Sequence, residues 1–170
     1  SISSDCNGED GEVLGGWADG DNNNNTVIIN GGTVYGAVGG DSGTGVSDIG
    51  NAIANSVIIN GGTVNYVLGG EVEGSGVADS NTVTINGGTT IYVFGGMSVG
   101  SGNVTNNTVT VKSGTVNGFI MGGCMGDDGT GVSKNNTVII DPTGNLNISA
   151  ASIYGSGSIN DDTILNVPIT

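Results

Sequence analysis

Five times along the chain, an Asn leads a short β-branched run, a Gly-containing turn and a second apolar run that closes on Gly-Gly or its remnant. The clearest copy is Asn55-Ser56-Val57-Ile58-Ile59-Asn60-Gly61-Gly62-Thr63-Val64-Asn65-Tyr66-Val67-Leu68-Gly69-Gly70. The others begin at Asn25, Asn81, Asn107 and Asn136. The valine two places on recurs at Val27, Val57, Val83, Val109 and Val138, a spacing of 26 to 30 residues. Two strand-like runs per unit at such a period, with no helical pattern, predict a solenoid.

Alternate residues of a strand share a face. Stacking the units therefore places Val27, Val57, Val83, Val109 and Val138 in one inward column, and Ile29, Ile59, Ile85, Val111 and Ile140 in the next. The second run adds Val34, Val64, Thr90 and Val116, then Val38, Leu68, Phe94 and Met121, to the expected core. The column between them, Ile28, Ile58, Thr84, Thr110 and Ile139, faces out. Its isoleucines, with the rings Tyr66, Tyr92 and Phe119, lie either under a covering loop, which is the first expectation, or at a lateral contact between rods. Asn25, Asn55, Asn81, Asn107 and Asn136 form a structural ladder in which stacked amides bond one another and the turn backbone. The Gly pairs fit corners needing positive φ. The competing reading is a meander of Asn-Gly hairpins, for which Asn30-Gly31 and Asn60-Gly61 are good signals. Recurrence of identical residues at the unit period favours parallel stacking.

The fold class expected is all-β, a parallel β-helix (β-solenoid) of about five to six coils, in a single domain over 1–170. Residues 1–24 form an acidic lead-in, in which Glu12 to Gly16 resembles the second half of a unit. Repeats occupy 25–156, with loops at 41–54, 71–80, 97–106 and 124–135. Unit five drifts, and 157–170 is a tail or partial coil. Five to six coils at about 4.8 Å each give a rod of about 25–30 Å with exposed strand edges.

Composition narrows the function classes. The chain has 35 Gly, 16 acidic and 2 basic residues, and a net charge of −14. This discourages nucleic acid and anionic membranes as partners, and suits divalent cations or basic surfaces. No apolar run of about 18 residues predicts membrane insertion. Lacking an initiator Met and a signal peptide, the sequence reads as a processed chain or a fragment. There is no His, so His-based zinc sites and Ser/His/Asp or Cys/His catalysis are excluded.

Candidate chemistry is sparse. Acidic loops carry Asp41, Asp48, Glu71, Glu73, Asp79, Asp127 and Asp128. They serve either as solvated linkers or as calcium sites, with Asp19, Asp21, Asp127 and Asp128 the best metal candidates. Neither an EF-hand spacing nor a calcium-binding β-roll repeat is present. Cys6 and Cys124 stand about four coils apart, roughly 19 Å, beyond disulfide reach within one rod. Head-to-tail docking would bring Cys6 of one chain towards Cys124 of the next in an intermolecular disulfide. Asn24, Asn103, Asn106, Asn135 and Asn147 head glycosylation sequons, three of them products of the Asn-Asn-Thr repeat itself. A regular threonine array for ice binding is interrupted by isoleucine.

The Asn-Thr-Val-x-Ile-Asn-Gly-Gly-Thr-Val unit with its later Val-x-Gly-Gly resembles the repeats of bacterial autotransporter passengers and filamentous-haemagglutinin-like adhesins. The resemblance covers roughly residues 12–156 and transfers no catalytic residue. It implies a secreted, cell-surface β-helix. The chain departs from those proteins in its shortness and in lacking a following barrel, which brings in a sheath or filament subunit of similar repeat type.

The function expected is therefore non-enzymatic, structural and extracellular. Its partners are copies of itself, docked end to end or laterally into a filament, sheath or surface layer, with host or cell-surface glycans as a further class. One alternative is the adhesive shaft of an autotransporter-like protein. Another is a polysaccharide-binding or -cleaving β-helix, which a groove of aromatics and carboxylates along one face would favour.

Overall fold

The computed structural model describes residues 11–43, 45, 47–126 and 129–158, the last two by backbone alone. Two short strands open it, β1 (Val13–Leu14) and β2 (Trp17–Ala18). The coils follow: β3 (Thr26–Ile29), β4 (Thr33–Ser42) and β5 (Ala52–Ile53); β6 (Ser56–Ile59), β7 (Thr63–Val72) and β8 (Val77–Asp79); β9 (Thr82–Ile85), β10 (Thr89–Ser98) and β11 (Asn103–Thr105). The last two are β12 (Thr108–Val111), β13 (Gly114–Met125) and β14 (Ser133–Lys134), then β15 (Thr137–Ile140), β16 (Leu146–Asn147) and β17 (Ser152–Ser158).

Each strand pairs with its counterpart one coil away, in parallel. The chain is thus a parallel β-solenoid of about five turns, and no hairpin forms among the described residues. Sheet I contains β1, β2, β4, β7, β10, β13, β16 and β17; sheet II contains β3, β6, β9, β12 and β15; sheet III contains β5, β8, β11 and β14.

Sheet III departs from the sequence reading. The segments read as loops carry the ends of the long sheet I strands and then a third run of two or three residues. The long strands therefore span two narrow cores. One lies against sheet II and holds Val27, Ile29, Val57, Ile59, Val64, Val67, Val83, Ile85, Val109 and Val111. The other lies against sheet III and holds Ala52, Val72, Ala78, Val104 and Met125. Val38, Leu68, Phe94 and Met121, expected in the main core, instead form a separate cluster on the outer face of sheet I. The irregular register between Thr90 and Tyr92 in β10 and the glycine pair further on break simple alternation along the long strand.

Two kinds of corner turn the chain. Between sheets II and I, the second glycine of each Asn-Gly-Gly sits at positive φ, as at Gly62 (φ 93°). Between sheets III and II the same region is taken by Asn24, Ala54, Ser80, Asn106 and Asn135, all with φ near 60°. That position costs a residue with a Cβ about 1–2 kcal/mol, and it immediately precedes the ladder asparagine.

Candidate functional site

The feature that shapes the outer face lies inside. Halfway along each long strand the second Gly-Gly meets the ladder asparagine of the next corner. A Cβ on Gly69 would lie 2.2 Å from Gly95 O and 3.0 Å from Asn81 Cβ, and one on Gly70 would lie 2.6 Å from Asn81 Nδ2. These glycines are required by close approach, not by the positive φ expected of them; the positive φ belongs to the turn glycines. Asn55, Asn81 and Asn107 are buried at 1 % exposure or less.

Their hydrogen bonding is saturated. Asn81 Oδ1 accepts from Asn55 N at 2.9 Å and Asn55 Nδ2 at 3.1 Å, while Asn81 Nδ2 donates to Ala52 O at 2.8 Å and Asn107 Oδ1 at 2.9 Å. Asn107 repeats the pattern towards Asn136, and Asn25 donates to Asn55. At the last rung Asn136 Nδ2 keeps the backbone bond, to Val104 O at 3.0 Å, and meets Ser133 Oγ and Ser156 Oγ in place of a further asparagine.

On the other side of the same strands, three outward columns run along the rod. They are Gly36, Tyr66, Tyr92, Phe119 and Ser152; Leu14, Val38, Leu68, Phe94, Met121 and Tyr154; and Trp17, Asp41, Glu71, Met97, Cys124 and Gly157. Leu68 and Met121 are each only 2 % exposed although they point away from both cores. Such burial means that the outer face is concave. Its C-terminal half is apolar, with a cavity of about 250 Å³ lined by Tyr92, Phe94, Met97, Phe119 and Met121. Tyr92 stacks on Phe119 with centroids 5.7 Å apart, and Phe119 contacts Tyr154 at 6.3 Å.

The N-terminal half of the groove is acidic. Asp41 and Glu71 are strand neighbours and partly buried. Burial, reinforced by Glu73 and Glu12, pushes the Asp41 carboxyl up to about 7. Burial, reinforced by Asp41, Glu73 and Glu12, pushes Glu71 up to about 8. Asp41 Oδ1 is buried with no hydrogen-bond partner among the described residues. Tyr66 donates to Glu12, and burial together with that bond raises the Tyr66 phenol. Its ring meets Tyr35 edge-on at 5.5 Å.

These residues were legible only as loop acids or ambiguous rings. The available signal was small or apolar alternation past each Gly-Gly: Ser42, Val72, Ser98 and Met125 point inward beside Asp41, Glu71, Met97 and Cys124.

The other candidates fall elsewhere. Asp19 is exposed, and Asp21 Oδ1 accepts from Asn51 N at 2.8 Å and Asn51 Nδ2 at 2.9 Å, a coil-to-coil contact. Asp127, Asp128 and Cys6 lie outside the described residues. Among the described residues, no three His, Cys, Asp or Glu side chains converge to hold a metal ion. Cys124 is fully buried beside Met97, with Sγ donating to Met125 O at 3.5 Å. Ile28 and Ile139 are 53 % and 43 % exposed and Ile58 is half-buried, so the expected covering loop does not lie over that column.

None of the family models, characterised proteins or solved structures compared with the chain matches it; what identifies it is its architecture, a parallel β-solenoid repeat protein.

Proposed function

We propose that the chain is a non-enzymatic structural β-solenoid of an extracellular cell surface, a rod element that joins like coils. The observation that carries this reading is the sameness of every coil-to-coil step. The valine column, the isoleucine column and the asparagine ladder repeat from one rung to the next, so the surface that best complements a coil edge is another such coil. Parallel edges of this kind pair readily. The uncovered isoleucines Ile28 and Ile139, with Ile58 between, supply a lateral contact for a sheet or layer. In a longer autotransporter-like adhesin the same rod serves as a shaft.

Sedimentation across a concentration series, with negative-stain electron microscopy before and after reductant, tests this. Rods lengthening with concentration, or ordered sheets, support self-assembly. Loosening by reductant implicates Cys6 and Cys124. Dispersed short rods at every concentration remove self-assembly and leave the shaft.

A second reading, a polysaccharide-binding or -cleaving β-helix, is favoured by one observation. Asp41 and Glu71 lie in a groove with Trp17, Tyr35 and Tyr66 beside them, and both carboxyls are held above the usual carboxylate range. Release of reducing ends from acidic and neutral polysaccharides, abolished in Asp41→Asn and Glu71→Gln, would establish it.

A further inference from the structure

The groove combines two surfaces whose chemistry is complementary to one kind of ligand. The cavity at its C-terminal half presents carbon and sulfur from Tyr92, Phe94, Met97, Phe119 and Met121. At about 250 Å³ it is smaller than a drug-sized site and suits one large apolar side chain. Its wall Met97 is the strand neighbour of Glu71, and Glu71 is the strand neighbour of Asp41. At about 4.8 Å per coil, Glu71 lies roughly 7 Å from the middle of the cavity along the rod, and Asp41 roughly 12 Å. In an extended peptide, same-face side chains recur about every 6.7 Å. The two spacings match.

Among the described residues, no cation sits in the acidic half. Among the described residues, the groups acting on Asp41 and Glu71, besides each other, are Glu73, Glu12 and, for Glu71, Tyr66, none of them positive. The chain's only basic side chains are Lys112, which follows β12 of sheet II, and Lys134, in β14 of sheet III. A second copy, carrying a net charge of −14, is a poor donor of positive charge.

We propose that this groove binds an extended segment of a basic partner protein, seating one large apolar side chain in the cavity and a lysine or arginine two residues away against Glu71 and Asp41. An incoming ammonium or guanidinium favours the ionised carboxylates. Since both carboxyls hold protons near neutrality, binding releases protons and tightens as pH rises through about 7 to about 8.

The test uses the whole chain and a capped synthetic peptide, Gly-Phe-Gly-Lys-Gly-Lys-Gly. Titration is followed by calorimetry and by emission of Trp17, the sole tryptophan, which is 60 % exposed and strand neighbour to Asp41. Saturable one-to-one binding is expected at about pH 9, tighter by roughly tenfold or more than at about pH 6, where both carboxyls are protonated. It should weaken by roughly tenfold or more when both peptide lysines become Glu, when Phe becomes Gly, or in Glu71→Gln. Glu71→Gln keeps the side-chain volume, and circular dichroism checks its fold. Asp141→Asn, at an exposed carboxylate past sheet II, should leave affinity unchanged. Equal affinity in Glu71→Gln overturns the proposal. So does binding that survives loss of the Phe, which would be general attraction to an acidic chain. Failure to bind at millimolar peptide overturns it as well, as does a Trp17 response to oligosaccharides with none to peptide.

Discussion

Two polar columns flank the same long strands, and they are built on opposite principles. Inside the bend stand Asn25, Asn55, Asn81, Asn107 and Asn136; outside it stand Asp41 and Glu71. An amide carries both donors and acceptors, so identical amides stacked one coil apart complete each other. A carboxylate only accepts, so two stacked carboxylates repel and must find donors, cations or protons. Asn55, Asn81 and Asn107 are accordingly buried with every amide bond made, and only the end rungs Asn25 and Asn136 are half-buried. The carboxyls are held partly protonated, and Asp41 keeps a buried oxygen with no partner among the described residues. A repeated polar residue in a solenoid thus marks a structural column when it is self-complementary. A column of like carboxylates is not completed by stacking, and its partners must come from elsewhere.

The comparison breaks first in the ladder. Asn81→Ala leaves Asn55 N without its acceptor and Asn55 Nδ2 with only Asn22 O, and removes two donated bonds in the same buried corner. Each buried group left unmade costs about 1–3 kcal/mol, so a loss of about 4 kcal/mol is expected in urea denaturation. Gly69→Ala attacks the same corner from the strand side. The added methyl meets backbone, Gly95 O at 2.2 Å, which cannot rotate away. A loss of about 3 kcal/mol is expected, with the parallel sheet signal retained in circular dichroism.

Outside the bend the sign reverses. Glu71 titrates in the folded chain at about 8, against an ordinary value of 4.5. Between those values the folded chain holds more protons than the unfolded one, so stability falls as pH rises through that window. Neutral, isosteric Glu71→Gln should therefore stabilise the chain at about pH 8 by about 1–2 kcal/mol, a gain discounted for partial exposure. The melting temperature would rise a few degrees and its pH slope flatten. No gain at about pH 8 would mean that Glu71 is ionised in the folded chain at no cost.

The inward columns and the ladder were legible because parallel stacking rewards the same residue at the same place: Val27, Val57, Val83, Val109 and Val138 are strand neighbours in sequence order. Sheet III was not legible. Ala52-Ile53, Val77-Ala78-Asp79 and Ser133-Lys134 are too short to show a period, and beyond the Ala52/Ala78 pair they repeat no residue type, since a small core needs only modest apolar volume. The groove was hidden for the opposite reason to the ladder. Trp17, Asp41, Glu71, Met97 and Cys124 occupy one column yet pass from indole through two carboxylates to two sulfur side chains, with no residue type repeated. Only the register, set by the glycine pairs, brings them into line.

One rung of the inner column sharpens the rule from within. Val34, Val64, Thr90 and Val116 are strand neighbours facing the main core. Thr90 is fully buried, and its Oγ1 has no hydrogen-bond partner among the described residues. A threonine hydroxyl surrounded above and below by valine methyls meets no second hydroxyl, so the self-complementarity that rescues the asparagines is absent. Threonine and valine have nearly the same shape, and replacing an unpaired buried hydroxyl by a methyl removes a desolvation cost without opening a cavity. Thr90→Val should therefore stabilise the chain by about 1 kcal/mol in urea denaturation, with the m-value unchanged. The same substitution at Thr84, on the half-buried outward column of sheet II, should move stability by less than about 0.5 kcal/mol. If Thr90→Val destabilised instead, Oγ1 would have a partner in solution, and burial on the lumen side would not by itself distinguish a satisfied column from an unsatisfied one.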